Sequence, residues 1–306
     1  MEQVPLLSPC TDIEVTLYGI STLCRGVALV VGFKHNRADI GRPHKRRGRI
    51  GGRRAERDMK DCKDIAVLGM GRVGTHLSAA LRAAGHRVTE IRTHDAAEAA
   101  RCAAGQDLLL LCVQDGRIAD LNRMLRLTAG RTAVAHVSGA TPLQAIADIA
   151  PRHGVFYCLQ TFSPGDAIDF RQVPICVEAN DEETAALLET VARSLSADVR
   201  RVDSRQRLGL HLAAVFASNY GNLMYTAAEQ ILQACGLDLA LLQPIIEQTA
   251  EKLRRMPPLQ AQTGPALRRD DGTLDKHRQL LADLPLPDDY RRLYDDLAAW
   301  IQRLHP

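Results

Sequence analysis

Apolar and polar positions follow two rhythms along this chain. Between residue 63 and residue 203, short strand-like runs recur at 65–68, 86–91, 107–113, 132–137, 155–159 and 174–177, all but 86–91 mostly apolar. Runs this short and this continuous are what strands covered on both faces look like. Between them, 75–84, 96–104, 116–127 and 142–149 carry apolar residues at helical spacing. Strand and helix in alternation predict an α/β fold built on an open, mostly parallel sheet.

Beyond Asp203 the pattern turns almost wholly helical. The stretch 205–233 has no proline and would span about 40 Å as one helix. With His211 set at zero and about 100° per residue, Ser218, Asn222, Tyr225 and Glu229 fall within about 40° of it, and Asn219 near +80°. The remaining faces are apolar, among them Leu212, Phe216, Leu223 and Ile231. Such a helix is expected to be central, with one polar stripe that lines a cleft, a subunit interface or a solvent-facing seam. His211 and Asn222 are about 16 Å apart along the axis, which suits a groove holding two molecules better than a grip on one atom.

Composition adds an asymmetry. Residues 1–58 hold 11 Lys+Arg against 6 Asp+Glu, a net charge of +5 within a whole-chain +3, so residues 59–306 carry −2. The Gly/Arg-rich run 41–57 cannot bury a core and is expected to be a disordered basic extension. Met59, just before the first apolar run, is the expected true start. A polyanion-binding arm, and with it a nucleic-acid partner, is the disfavoured alternative. The eight cysteines form no Cys-x-x-Cys pair, and the apolar stretch 26–33 is far too short to span a bilayer. Reduced thiols, no metal site, no membrane partner and a cytoplasmic location are the corresponding expectations.

The chemistry starts where the first run ends. Gly69, Met70, Gly71, Arg72, Val73 and Gly74 form a G-x-G-x-x-G sequence between a strand and a helix. In that frame the first glycine makes the turn, the second lets the backbone approach a pyrophosphate, and the third lets helix pack on strand. This predicts a Rossmann-type dinucleotide-binding domain. At the end of the second run, Arg92, Thr93 and His94 offer donors for a 2′-phosphate, favouring NADP, whereas Glu90 would favour NAD if it met the ribose. Ligands of such sheets lie beyond the carboxyl ends of strands. That places Val113, Gln114, Asp115, Ser138 and Gly139 beside the cofactor, and Gln160, Thr161 and Ser163 beside a substrate. Ser138 and Gly139 leave room for a ring to approach. Further on, Thr263 and Gly264 could present backbone donors to an anion and Arg268 could take a carboxylate, unless this is simply a charged surface loop.

Four separated motifs in order resemble one family: the glycine turn 69–74; Tyr157-Cys158-Leu159-Gln160-Thr161-Phe162-Ser163; His211 through Asn219 with Asn222; and Gln262-Thr263-Gly264-Pro265 with Arg268, Asp270, Thr273 and His277. Over about residues 63–304 the chain resembles bacterial proteins that join a Rossmann-like domain to a helical domain numbered 2520. They are NADP oxidoreductases by label, with kinship to 6-phosphogluconate dehydrogenase, ketopantoate reductase and pyrroline-5-carboxylate reductase. The resemblance implies a cofactor held between a Rossmann domain (59–203) and an all-helical C-terminal domain (204–306) that forms a homodimer. Hydroxyacid members of the wider group place a Lys four residues before an Asn on the central helix, where this chain has Val215 before Asn219. His211 therefore becomes the expected proton donor, with Asn219 and Asn222 orienting a small substrate that bears a carboxylate next to a carbonyl or imine, and His277 beside the substrate. A dinucleotide-binding sensor or scaffold without chemistry is the alternative.

Overall fold

In the computed structural model, residues 62–127 and 131–306 are described, and all of them belong to one compact unit. The basic extension and the Met59 start lie outside the described residues. The chain runs β1 (Asp64–Leu68), α1 (Arg72–Ala83), β2 (Arg87–Ile91), α2 (Ala96–Ala103), β3 (Leu108–Leu111), α3 (Asp115–Met124), β4 (Ala133–His136), β5 (His153–Cys158), β6 (Ile175–Ala179), α4 (Glu182–Leu195) and β7 (Val199–Arg201). The strands form one sheet in the order β2-β1-β3-β4-β5-β6-β7, parallel throughout except for the β5–β6 pair.

The period of two in a strand divides the core into two layers. Ile65, Val67, Leu108 and Leu110 face one side and pack with Leu77 and Leu81 of α1 and Leu188 and Val191 of α4. Their neighbours Ala66, Leu68, Leu109 and Leu111 face the other, against Ala99 and Ala103 of α2 and Ile118 of α3. Because consecutive strand residues are all claimed, the runs read as continuously apolar. At β1 the chain order reverses: β2 lies on one side and β3 on the other. The crevice beyond the carboxyl ends of β1 and β3 is thus the topological switch point, the usual ligand position in open α/β sheets.

Three elements depart from the pattern expectation, the first being β7 (Val199–Arg201), which no apolar run announces. The segment 142–149 makes only a short 3₁₀ turn, Leu143–Ile146, entered through Pro142. Helix α4, absent from that expectation, is capped by the Asp181 carboxylate accepting from the Thr184 N–H.

The remainder is helical: α5 (Ser204–Ala214), a π-turn (Val215–Tyr220), α6 (Gly221–Ala234), α7 (Gln243–Lys252), α8 (Pro258–Ala261), α9 (Asp271–Asp283) and α10 (Asp289–Leu304). The expectation of a central, buried helix over 205–233 is corrected: Leu212, Phe216 and Leu223 are 55%, 53% and 54% exposed. The described residues supply no second layer for that apolar surface.

Helix α5 is fastened to the sheet by a buried polar node. Arg207 is 1% exposed and ion-pairs with Glu178 of β6, while its guanidinium also donates to the Thr141 carbonyl. Ser204 donates its hydroxyl to Glu178 at 2.9 Å and accepts from the Leu143 N–H at 3.1 Å. A buried charge left without its partner typically costs about 3–5 kcal/mol, so this node fixes where α5 leaves the sheet.

Candidate functional site

The glycine turn is built as its sequence requires. Gly69 sits at φ +97°, and a Cβ there would stand 2.5 Å from the Cys112 carbonyl oxygen. At Gly74 a Cβ would meet the Gly69 oxygen at 2.0 Å, so helix and turn touch at a place that only glycine fits. A Cβ at Gly71 would meet nothing within 4 Å, which leaves open space at the start of α1. Gly71 caps that helix without any side-chain hydrogen bond, so the first-turn N–H groups remain for an anion. These features fit a dinucleotide pyrophosphate.

The adjoining cavity, about 480 Å³, is lined by Gly69, Met70 and Gly71, by Arg92, Thr93 and His94 after β2, and by Val113 and Gln114 after β3. Asp95, Arg117 and Met124 also line it and were not among the expected residues. The Asp95 carboxylate caps α2, accepting from Ala97 and Glu98 N–H at 2.7 and 3.1 Å, which holds its pKa below the usual carboxylate range. Arg117 reaches the cavity from the far side of the crevice, a contact between elements that its own helix pattern does not signal. Arg72 is exposed, Val73 turns toward the core, and Asp115 begins α3 outside the cavity lining.

Glu90 does not line the cavity. Its carboxylate accepts from Arg82 on one oxygen and from Arg92, at 2.8 Å, on the other, and these two guanidiniums lower its pKa. Both of its oxygens are thus engaged beside the cavity by arginine side chains.

A second cavity of about 470 Å³ opens between the end of β5 and helix α5. Its lining includes Tyr157, Gln160 and Thr161 from the strand side, and His211, Ser218 and Asn219 from the helix side. Asn222 is not part of it. The π-turn accounts for this: each π turn holds one residue more than an α turn, so positions beyond it lag by up to about 100°. Asn219 falls back toward the His211 line while Asn222 rotates past it.

Gly139 does receive a ring, but the ring is His211. A Cβ on Gly139 would stand 2.7 Å from His211 Nδ1, 2.9 Å from its Cγ and 3.0 Å from Tyr157 Cε2. The Tyr157 hydroxyl lies 3.3 Å from Nδ1, and the two rings meet edge to face with centroids 6.1 Å apart. Ser138 uses its hydroxyl within its own turn, accepting from Ala140 and Thr141 N–H at 3.1 and 2.9 Å. Beneath it, His136 is fully buried, and its own burial together with the Arg207 charge pushes its pKa down to about 4.

The other expected substrate residues lie apart from this cavity. Ser163 is exposed on the loop after β5; Thr263, Gly264 and Arg268 precede α9; and His277 on α9 pairs with Tyr294 at 2.7 Å. Among the described residues no group of His, Cys, Asp and Glu could hold a metal ion, and no helix is long and apolar enough to cross a membrane. The described cysteines are unpaired, and burial pushes the Cys112 thiol up to about 12.

Sheet order, glycine turn and helical continuation together define a Rossmann-type protein with an all-helical C-terminal region. The family model "Domain of unknown function (DUF2520)" matches residues 173–301. A crystal structure from Bacteroides fragilis, named "putative NADP oxidoreductase", is 33% identical, with a TM-score of 0.70 over 79% of this chain and 99% of that one. The chain belongs to the DUF2520 family. An imine reductase from Streptomyces aurantiacus is similar at 16% identity and a TM-score of 0.58, over 77% of this chain and 93% of its own. A reductive aminase from Aspergillus terreus, solved with NADPH and ethyl-5-oxohexanoate, is also 16% identical, with a TM-score of 0.58 over 79% and 94%. At that identity the likeness is one of fold. No curated protein matches the chain.

Proposed function

We propose that this chain is an NADP-dependent oxidoreductase acting on a small carbonyl or imine substrate that bears a carboxylate. The observation carrying the reading is the placement of His211 against Gly139, at the carboxyl end of β4, with the dinucleotide crevice opening at the neighbouring end of β3. The glycine turn would hold the pyrophosphate, and Arg92, Thr93 and His94 the 2′-phosphate. When bound, the cofactor supplies or accepts a hydride. His211 supplies or removes the proton, an imidazole being the side chain whose ordinary titration lies nearest neutrality. Asn219 orients the substrate from within the cavity, and Asn222, rotated out of the lining, drops from that role. The B. fragilis relative's name and the imine-reducing and aminating structural neighbours support the reaction class.

A homodimer accompanies this reading. The exposed apolar surface of α5 and α6, with Leu212, Phe216 and Leu223, is the face a second copy would cover. Arg268 can take the substrate carboxylate only if another copy carries it to the cavity, since it lies outside the lining. Sedimentation at micromolar concentration gives twice the chain mass on this reading; a monomer removes both the dimer and the Arg268 role.

Parallel fluorescence titrations with NADPH and NADH, followed by turnover across cyclic imines and keto acids, test the activity. Tighter NADPH binding with turnover supports the proposal. NADPH binding with no turnover on any member of the panel turns the chain into a sensor or scaffold.

A further inference from the structure

The histidine of the second cavity is held on one nitrogen only. Its Nδ1 faces Tyr157 and the Cα of Gly139, whereas Nε2 makes no hydrogen bond within the described residues. Tyr157 is 8% exposed on β5, packed beside Leu143, Val155 and Cys176. Among the described residues, Nδ1 is the one hydrogen-bond partner of its hydroxyl. A largely buried hydroxyl without an acceptor is costly, and donating to Nδ1 satisfies it. The reverse arrangement, the neutral ring's Nδ1–H donating to the phenol oxygen, would leave the O–H with no acceptor among the described residues. Burial also raises the phenol pKa to about 12, so the hydroxyl keeps its hydrogen throughout the range in which an imidazole titrates.

We propose that Tyr157 is a positioning residue: by donating to Nδ1 it fixes the His211 tautomer that carries its hydrogen on Nε2 and commits that N–H to the substrate. In the imidazolium form Nδ1–H donates to the phenol oxygen and Nε2 still bears a hydrogen; once that hydrogen passes to substrate the ring is left with Nδ1–H and regains the resting tautomer by proton exchange with water. A ring so held offers a donor to the lone pair of a carbonyl oxygen or imine nitrogen, and offers no lone pair on Nε2 itself. The substrate class this favours is therefore an acceptor in its resting form, a ketone, aldehyde or neutral imine, over one that must first give up a proton. Gly139 completes the clamp, since any side chain there would push the imidazole away from the phenol.

The substrate-facing part of this inference rests on the oxidoreductase reading; the tautomer does not. The test is long-range ¹H–¹⁵N correlation on the full chain with ¹⁵N-labelled histidine, at alkaline pH where the ring is neutral, with His211→Gln to assign the signal. In the wild type, His211 shows an unprotonated Nδ1 and a protonated Nε2. In Tyr157→Phe, which keeps the packed ring and removes one oxygen, the two nitrogen shifts converge as the tautomers mix. A wild-type ring protonated on Nδ1, or a Tyr157→Phe ring with unchanged shifts, overturns the proposal. Should Tyr157→Phe fold poorly, Gly139→Ala separates the rings with the phenol intact and must give the same convergence. If a substrate is turned over, Tyr157→Phe lowers kcat about ten-fold, one hydrogen bond's worth, with NADPH affinity unchanged. If none is, the oxidoreductase reading fails while the nitrogen shifts still decide the tautomer.

Discussion

Adding one methyl group at Gly139 separates two accounts of the loop after β4. The backbone there is not in the left-handed region, so alanine brings steric conflict without conformational strain. Its Cβ would stand 2.7 Å from His211 Nδ1, where ordinary contact begins at 3.4 Å, so the imidazole must retreat by about 0.7 Å or the loop must give way. The retreat lengthens the Tyr157 hydrogen bond from 3.3 Å to about 4 Å, beyond bonding distance. A misplacement approaching 1 Å in a reacting group costs about a hundred-fold, so Gly139→Ala lowers kcat between about ten- and a hundred-fold. Overpacking also costs about 1–3 kcal/mol. At this chain length that lowers Tm by about 2–10 °C.

The assay is imine or keto-acid reduction followed by NADPH absorbance, beside a fluorescence titration for NADPH Kd. The imidazole account expects kcat to fall with Kd unchanged within about two-fold. The alternative, in which Gly139 leaves room for the nicotinamide, expects NADPH binding to weaken while kcat at saturation survives. Full kcat with weakened NADPH binding would refute the His211 packing argument.

Three further perturbations follow from the same geometry. His211→Ala lowers kcat by about a hundred-fold or more with NADPH Kd retained, and wild-type turnover in that variant removes the proton-transfer role. Arg92→Asp weakens NADPH binding by about ten- to a hundred-fold, the scale of one charged hydrogen bond, and shifts preference toward NADH; an unchanged ratio of the two Kd values excludes Arg92 from the site. His136 remains neutral when folded down to about pH 4 but takes up a proton near 6.5 when unfolded. As pH falls through that window the unfolded state gains the proton and stability drops, by about 3 kcal/mol in total. Urea unfolding at pH 7 and pH 4 should show that loss in the wild type and less of it in His136→Gln; equal losses would dismiss His136 as the source.

Much of the sheet was legible because β1, β3, β4 and β5 bury both faces, which leaves runs such as Leu108 to Leu111 with no polar interruption. Strand β7 left no such mark: Val199, Arg200 and Arg201 form an edge strand, and an exposed edge tolerates charge. Helix α4 had its signals, the Asp181 cap and apolar residues at 185, 188, 192 and 195, yet they follow directly on a strand and are easily merged with it. The glycine turn was readable because each glycine answers to a different local contact. The place of Arg117 and the role of Tyr157 were not, since Arg117 joins the cavity lining only through the way α3 sits on the sheet and Tyr157 meets His211 across 54 positions of sequence.

The central helix shows why a helical wheel fails at the site itself. Straight α geometry puts Asn222 beside His211 and turns Asn219 away by about 80°. The π-turn reverses that choice, and no residue in Val215–Tyr220 is a proline or glycine that would announce a break. What the segment does contain is Phe216 and Tyr220, packed edge to face with centroids 5.0 Å apart on the exposed side. The extra residue thus brings Asn219 to the cavity beside Ser218, which a regular helix would already place there, while two aromatic rings face outward. A π-turn is a single-residue enlargement of an α turn, and such turns concentrate at functional sites. Its position here, in the stretch that lines the second cavity, ties the irregularity to the cavity, because a regular helix would present a different asparagine to whatever His211 meets.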